Sequence, residues 1–224
     1  MNDVLNSAPM FTALDAEAAA ALRNSMDEVR LRKGTILFRE GDAGDRLYVI
    51  TDGKIKLGQT APDGRESLLA ILGPGEMFGE LSLFDPGPRT ATAAALTDTT
   101  LMGLGHQALR PWLAGRPGVS EALLRSLAQR LRRTNDQMAD LVFSDVPGRV
   151  AKTLLELGEK FGEPLPDGLH VTHDMTQEEL AQLVGASRET VNKALADFAA
   201  RSWIRLEPRS VVLLDRDRLE RRSR

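Results

Sequence analysis

Ser120 to Phe143 runs 24 residues without a Gly or Pro, and this uninterrupted stretch constrains the fold more than any other feature. Leu124, Leu127, Leu131, Met138 and Leu141 recur at alternating spacings of three and four, the signature of one long helix. Written as a heptad, Leu124, Leu131 and Met138 take the a positions, and Leu127, Thr134 and Leu141 take the d positions. A seam this narrow is what a two-stranded coiled coil buries. The alternative, a surface helix packed on its own domain, usually carries a wider apolar stripe. The stretch is also too polar to be a membrane span, and no segment of the chain approaches the 18 or so apolar residues that a span needs.

The texture before this helix is different. From Gly34 to Leu104, short apolar runs alternate with turn residues, and Thr35–Phe38, Leu47–Thr51, Lys54–Leu57, Ser67–Leu72 and Thr100–Leu104 read as strands. Asp52-Gly53 and Asp63-Gly64 are expected to close hairpins, since Gly accepts the positive φ of a tight reversal. Many short strands with few long helices predict a closed antiparallel barrel or roll. An Ala-rich helix is expected ahead of it, from Asp15 to Ser25.

After the helix, Asp145-Val146-Pro147-Gly148 reads as a hinge, followed by a helix from about Arg149 to Phe161 and a short strand at Leu169–Thr172. Thr176-Gln177-Glu178-Glu179 has capping-box form, so a helix starts there. Gly185 is placed to reverse the chain, and Ser187 can cap a second helix with Val191, Leu195 and Phe198 on its buried side. A short helix, a Gly turn and a second helix with a polar N-terminus make a helix-turn-helix. Trp203–Leu206 and Val211–Leu214, joined through Glu207-Pro208-Arg209-Ser210, are expected to form its wing.

The chemistry of that second helix suits DNA. Arg188 can donate two hydrogen bonds to guanine, and Glu189 can accept from cytosine N4. A carboxylate facing phosphate is repelled, so Glu189 makes sense there as a base reader. Thr190 and Lys193 suit phosphate or secondary base contacts. The bland alternative is a helical hairpin with a solvated charged face.

A second constellation, Gly75-Glu76-Met77-Phe78-Gly79-Glu80-Leu81-Ser82 followed by Arg89-Thr90-Ala91, suits a phosphate. The Gly-Glu-Leu-Ser run can begin a short helix whose free N–H groups accept an anion, with Gly79 permitting close approach. Arg89 would neutralise the charge, Thr90 would add a donor, and Glu80 could accept from a ribose hydroxyl. The Gly spacing misses the dinucleotide fingerprint. The alternative here is a structural turn carrying an Arg–Glu pair.

Composition then removes whole classes. With Cys 0, thiol nucleophiles, Cys-ligated zinc and Cys-bound iron–sulfur clusters are excluded together. A metal-dependent enzyme of the β-roll (cupin) type would need a His cluster, and residues 34–104 contain no His; no Gly-x-Ser-x-Gly occurs either. His170 and His173 stand three apart on a strand, hence on opposite faces, which suits two satisfied or solvated side chains and not a metal pair. No catalytic residue, metal or catalytic cofactor is expected. Met1 to Ala20 lacks the pattern of a secretory signal, and a cytoplasmic protein without a membrane partner is expected. The net charge is −3, but it is unevenly spread: residues 1–110 hold 11 Lys/Arg against 15 Asp/Glu, whereas 146–224 hold 13 of each. The Arg216–Arg224 tail, with five Arg, reads as a solvated end that could also touch phosphate.

Together these residues carry a resemblance. Phe78-Gly79-Glu80-Leu81-Ser82 with Arg89-Thr90-Ala91 resembles the phosphate-binding cassette of cyclic-nucleotide-binding β-rolls. Val184-Gly185-Ala186-Ser187-Arg188-Glu189-Thr190-Val191 resembles the recognition segment of the cyclic AMP receptor proteins, in the superfamily that includes the fumarate and nitrate reduction regulators. Phe84-Asp85-Pro86-Gly87-Pro88-Arg89-Thr90 and Asp145 to Lys152 are similar to the actinobacterial branch.

The resemblance implies an α+β chain: an N-terminal cyclic-nucleotide-binding β-roll (1–118), a dimerisation helix (119–144) and a C-terminal winged helix-turn-helix (145–224). It implies a homodimeric transcription regulator whose binding to a palindromic operator in double-stranded DNA is controlled by cyclic AMP as an allosteric ligand, with RNA polymerase as a further partner. Gly79, Glu80, Leu81, Ser82, Arg89 and Thr90 would hold the cyclic phosphate and ribose, and Thr134 and Asn135 the adenine, one from each subunit. Arg188, Glu189 and Lys193 would read bases, with Thr176, Gln177, Ser187 and Thr190 completing the DNA-facing set. The alternative within the same scaffold is a response to another nucleotide or dinucleotide, or DNA binding largely without ligand. Haem-sensing relatives would need an axial ligand, and His106, beyond the last expected strand of the roll, is poorly placed for one. A cyclic-nucleotide module acting only on proteins would leave Arg188 and Glu189 without a purpose.

Overall fold

The computed structural model describes residues 2–85 and 87–223, the side chains of Asn2, Asp3 and Leu83 excepted. Met1, Pro86 of the expected cassette stretch and Arg224 of the expected basic tail lie outside the described residues. Contacts divide the chain into two units, the first running to Thr60 and from Leu69 to Arg132, the second comprising Ala61–Leu68 and everything from Arg133 on.

The first unit opens with helices α1 (Asn2–Ser7) and α2 (Ala16–Asn24), the latter capped by Asp15, whose carboxylate accepts from the Ala18 N–H at 2.8 Å. Eight strands follow: β1 (Asp27–Leu31), β2 (Ile36–Phe38), β3 (Arg46–Asp52), β4 (Ile55–Thr60), β5 (Glu66–Leu72), β6 (Met77–Phe78), β7 (Thr92–Ala95) and β8 (Thr99–Gly105). A short helix α3 (Leu81–Phe84) interrupts them, and α4 (His106–Gly115) closes the unit. The strands form two four-stranded sheets, ordered β1-β8-β3-β6 and β2-β7-β4-β5, a β-roll as expected. Side chains alternate across β3 and so reach two cores. Ile50 joins Ile55, Leu57, Leu72, Phe78 and Leu101 on one side, while Leu47 and Val49 join Leu22, Leu109, Val119 and Leu123 beneath the helices.

The expectations needed correction at several points, α1, β1 and β6 having been absent from them as well. Asp52-Gly53 does form a turn, with Gly53 at φ +81°, but the strands it joins belong to different sheets, so it is a crossing and not a hairpin. β7 was not expected, because Thr-Ala-Ala-Ala has little strand preference; Ala93 and Ala95 are nonetheless fully packed in the core, where only a small side chain has room. α4 was not expected either, since Pro111 falls inside it.

The long helix α5 (Pro117–Phe143) begins slightly earlier than expected and spans both units. Its first turns bury Val119 and Leu123, but its heptad seam is uncovered: Leu124, Leu131 and Met138 are each more than 60% exposed.

In the second unit α6 (Val146–Phe161) follows after only two residues. The expected hinge residues therefore open a helix instead of forming a loop. Asp145 caps it, accepting from the Gly148 N–H at 2.9 Å, and Pro147 suits the first turn, where its missing N–H costs nothing. Next come β9 (Gly162–Leu165), β10 (Gly168–Thr172), α7 (Gln177–Val184), α8 (Arg188–Ala200), β11 (Ile204–Glu207) and β12 (Ser210–Leu213), the strands ordered β11-β12-β10-β9. The expected wing is the β11–β12 hairpin, whose tight turn holds Arg209 at φ +58°. β9 was not expected; Pro164 is tolerated because this strand lies at the sheet edge. The tail is corrected as well. It forms helix α9 (Arg216–Arg222), with Leu219 fully buried and the Arg222 guanidinium donating to the Asp145 carboxylate at 2.6 Å.

Candidate nucleotide cassette and nucleic-acid interface

Gly79, Glu80, Leu81, Ser82, Arg89 and Thr90 come together around α3, in the first unit. Gly79 has φ +80°, and a Cβ there would lie 2.8 Å from Arg89 Nη1 and 3.0 Å from the Arg46 carbonyl. Glycine is required twice over, by conformation and by space. Arg89 is 5% exposed. Its Nη1 donates to the Gly79 carbonyl at 2.8 Å and to Ser82 Oγ at 3.1 Å, its Nη2 donates to the Arg46 carbonyl at 2.8 Å, and its guanidinium lies 4.2 Å from the Phe38 ring centre. Burial pulls Arg89 below the ordinary arginine value, with the carboxylates of Asp45, Glu80 and Asp42 acting against that pull. Its Nε has no partner among the described residues.

Glu80 precedes α3 with its side chain 3% exposed, and Oε1 accepts from Arg130 at 2.9 Å. Oε2 is buried without a partner among the described residues. Leu81 and Thr90 are exposed at the rim, and the Thr90 carbonyl accepts from Gln59 at 2.8 Å. A cation and an anion thus share one buried spot, each with an unsatisfied polar atom, and such atoms call for a polar ligand. The space between them is small, about 30 Å³. A larger depression of about 530 Å³ beside Asp27, Asp45, His106 and Arg110 is walled by exposed side chains, so the convergent buried groups make the smaller site the candidate. Thr134 and Asn135 lie exposed on α5 beyond Arg132, in the second unit.

Sequence reasoning missed Arg130, Phe38 and Gly44. Arg130 stands four residues before Thr134, hence on the same helix face, which was a usable signal. A Cβ at Gly44 would run into Ser82, but nothing in the local sequence marks that approach.

In the helix-turn-helix, Thr176 Oγ1 accepts from the Glu179 N–H at 3.2 Å, and the Glu179 carboxylate accepts from the Thr176 N–H at 2.8 Å, completing the capping box. Gly185 adopts the left-handed conformation at φ +69°, and Ser187 caps α8 by accepting from the Thr190 N–H at 3.2 Å. With Val191, Ala194, Leu195 and Phe198 buried, Arg188, Glu189, Thr190 and Lys193 are left exposed, as are Thr176 and Gln177. Among the described residues neither Arg188 nor Lys193 has an ion-pair partner. Thr176, Ser187 and Thr190 already spend their hydroxyls on caps.

Arg149 was also missed. From α6 it donates to the carbonyls of Ser144 at 2.8 Å, Val184 at 3.1 Å and Gly185 at 3.2 Å, tying the end of α5 to the turn of the helix-turn-helix. His173 Nδ1 accepts from the Met175 N–H at 3.1 Å, and His170 lies 3.3 Å from Glu207, so each imidazole has its own neighbour.

A β-roll carrying such a cassette, joined by a long helix to a winged helix-turn-helix, defines a nucleotide-binding, DNA-binding transcription regulator. Residues 28–115 match the cyclic nucleotide-binding domain family, and residues 148–222 match the Crp-like helix-turn-helix domain. The chain is 57% identical to the CRP-like cAMP-activated global transcriptional regulator of Mycobacterium tuberculosis over 224 residues, all of both chains. It is 35% identical to the cyclic AMP receptor protein of Thermus thermophilus, over 96% of this chain and 97% of that one. The solved structure of the c-di-GMP responsive global regulator CLP of Xanthomonas campestris superposes with a TM-score of 0.75 at 28% identity, covering 89% of this chain and 99% of that one. The chain belongs to the CRP family of transcription regulators.

Proposed function

We propose that this chain is a homodimer whose binding to a palindromic operator is controlled by cyclic AMP. The observation that carries the reading is that buried Arg89 and buried Glu80 line one small cavity, each side chain with an unsatisfied polar atom among the described residues. Gly79, Ser82, Arg89 and Thr90 would hold the cyclic phosphate, and Glu80, beside Leu81, the ribose. Thr134 and Asn135 would meet the adenine across the dimer seam. Arg188, Glu189 and Lys193 would read bases, with Thr176, Gln177, Ser187 and Thr190 against the backbone. The functional boundaries we assign are 1–118 for nucleotide binding, 119–144 for dimerisation and 145–224 for DNA.

The uncovered seam of α5 supports the dimer. Leu131→Asp should give monomers in sedimentation, and an intact dimer would refute the seam. Coupling is a population shift: the nucleotide favours the arrangement of long helices that sets the two α8 helices about 34 Å apart, one DNA turn. Because Arg130 holds Glu80 Oε1, a nucleotide reaching Glu80 would have to share or displace that bond.

The likeness to a c-di-GMP responsive regulator favours a second reading, a cyclic dinucleotide in the same place. Calorimetry with cyclic AMP, cyclic GMP and cyclic di-GMP, paired with operator binding with and without each, separates the two. Tight cyclic AMP binding that raises operator affinity is the expected result; tight binding with equal operator affinity would sink the control mechanism. The protein is read as cytoplasmic and non-enzymatic, with RNA polymerase as its further partner; among the described residues no helix is long and apolar enough to cross a membrane.

A further inference from the structure

Among the described residues, four buried side-chain polar atoms lack a hydrogen-bond partner: Arg23 Nε, Glu80 Oε2, Arg89 Nε and Asn192 Oδ1. Two belong to the cassette, where a polar ligand accounts for them. Asn192 belongs to α8, and none of the described residues accounts for it.

Its position on the helix suggests what does. At about 100° per residue, Asn192 falls about 40° from Arg188 and about 60° from Glu189 around the helix axis. It therefore stands between Arg188 and Glu189 on the arc that also carries Lys193, about 60° from Leu195 at the edge of the buried stripe of Val191, Ala194, Leu195 and Phe198. The side chain is half-buried, so it can turn outward without unpacking the stripe. Of the side chains on that arc it alone offers both a donor and an acceptor, since Arg188 and Lys193 only donate and Glu189 only accepts. Thr190 could do both, but it lies on the far side of the arc and its hydroxyl is engaged with Ser187 at 2.8 Å. A carboxamide matches adenine, accepting from N6 and donating to N7. The orphaned Oδ1 would thereby gain the donor that it lacks in the free protein, so recognition removes a desolvation cost as well as making a contact.

We propose that Asn192 is a further specificity-determining residue, reading an adenine in the half-site contacted by Arg188 and Glu189. The inference rests on the reading of α8 as the base-reading helix. Its test uses the full-length protein with cyclic AMP and a set of operators in which each base pair of the half-site is changed in turn, with affinities read by fluorescence anisotropy. Asn192→Ala should lower the preference for A·T at one position by roughly five- to a hundredfold and leave the other positions as they were. Asn192→Asp keeps the shape but removes the donor, and should move the preference at that position towards C·G. An unchanged profile, or a uniform loss across all operators, would overturn the proposal. Glu189→Ala in the same assay is the control. If it relaxes one base pair while both Asn192 variants relax none, only the Asn192 assignment falls; if neither residue affects any base pair, the reading of α8 itself falls.

Discussion

Arg89 and Arg188 are both read as cations that meet phosphate-bearing ligands, yet their surroundings differ sharply. Arg89 is 5% exposed, held by three protein acceptors and stacked on Phe38. Arg188 stands in solvent without an ion-pair partner among the described residues. A small ligand cannot supply much surface, so its site must be desolvated and fixed in advance, and each group in it carries a large share of the affinity. A duplex brings a broad charged surface of its own, so the protein needs only a correctly aimed helix. Here the aim is set by the Thr176 and Ser187 caps, by Gly185, and by Arg149 bound to the Val184 and Gly185 carbonyls where the turn begins.

The largest test of this contrast is Arg89→Ala. It should cost about 3–5 kcal/mol of nucleotide affinity, because it strips the cassette of its cation and leaves Glu80 buried beside Arg130 alone. Calorimetry would read the loss, with circular dichroism to show that the chain still folds; normal cyclic AMP affinity would break the cassette assignment. Glu189→Ala should do the converse, leaving nucleotide affinity untouched and relaxing discrimination at one base pair by roughly 1–3 kcal/mol. A uniform loss over all operators would make Glu189 structural. The smallest effect is expected at Asp145. Its hydrogen bond to Arg222 and the Gly148 N–H hold its carboxyl below the usual carboxylate range. A lowered pKa contributes stability that is present above the ordinary value of about 3.9 and lost as pH falls through the lowered one. Asp145→Asn should therefore lower stability at neutral pH by less than about 1 kcal/mol, since the pair is exposed, and the difference from the native chain should vanish in acid. Thermal unfolding as a function of pH would show it, and a gap that persists in acid would assign the effect to something other than this ion pair.

What could be read in the sequence follows the range of the interactions involved. The capping box, the Gly185 turn, the Ser187 cap and the heptad of α5 are local patterns, and all appear where expected. β7 was invisible because Ala93 and Ala95 are strand residues only by virtue of the core they fill. Asp52-Gly53 announced a turn, but local chemistry cannot say which sheet the chain enters next. The cassette motif was legible, whereas the cradle around it was not: Phe38, Gly44 and Arg130 lie between 38 and 51 positions from the residues they meet. The last helix was misread for the same reason. Five Arg in nine residues look solvated until Leu219 finds its pocket and Arg222 finds Asp145, 77 positions away.

The internal pairing of arginines in the DNA-binding half also bears on ionic strength. Arg201 is paired with Asp197, Arg205 with Asp167 and Glu207, and Arg222 with Asp145. A guanidinium already neutralised within the protein releases few counterions when a duplex arrives. The salt dependence of association is then set by the small number of cations left over, at a slope of about −0.9 for each phosphate neutralised. Such a protein should hold arbitrary DNA weakly, and its choice of site should withstand swings in electrolyte that would scatter a more basic one.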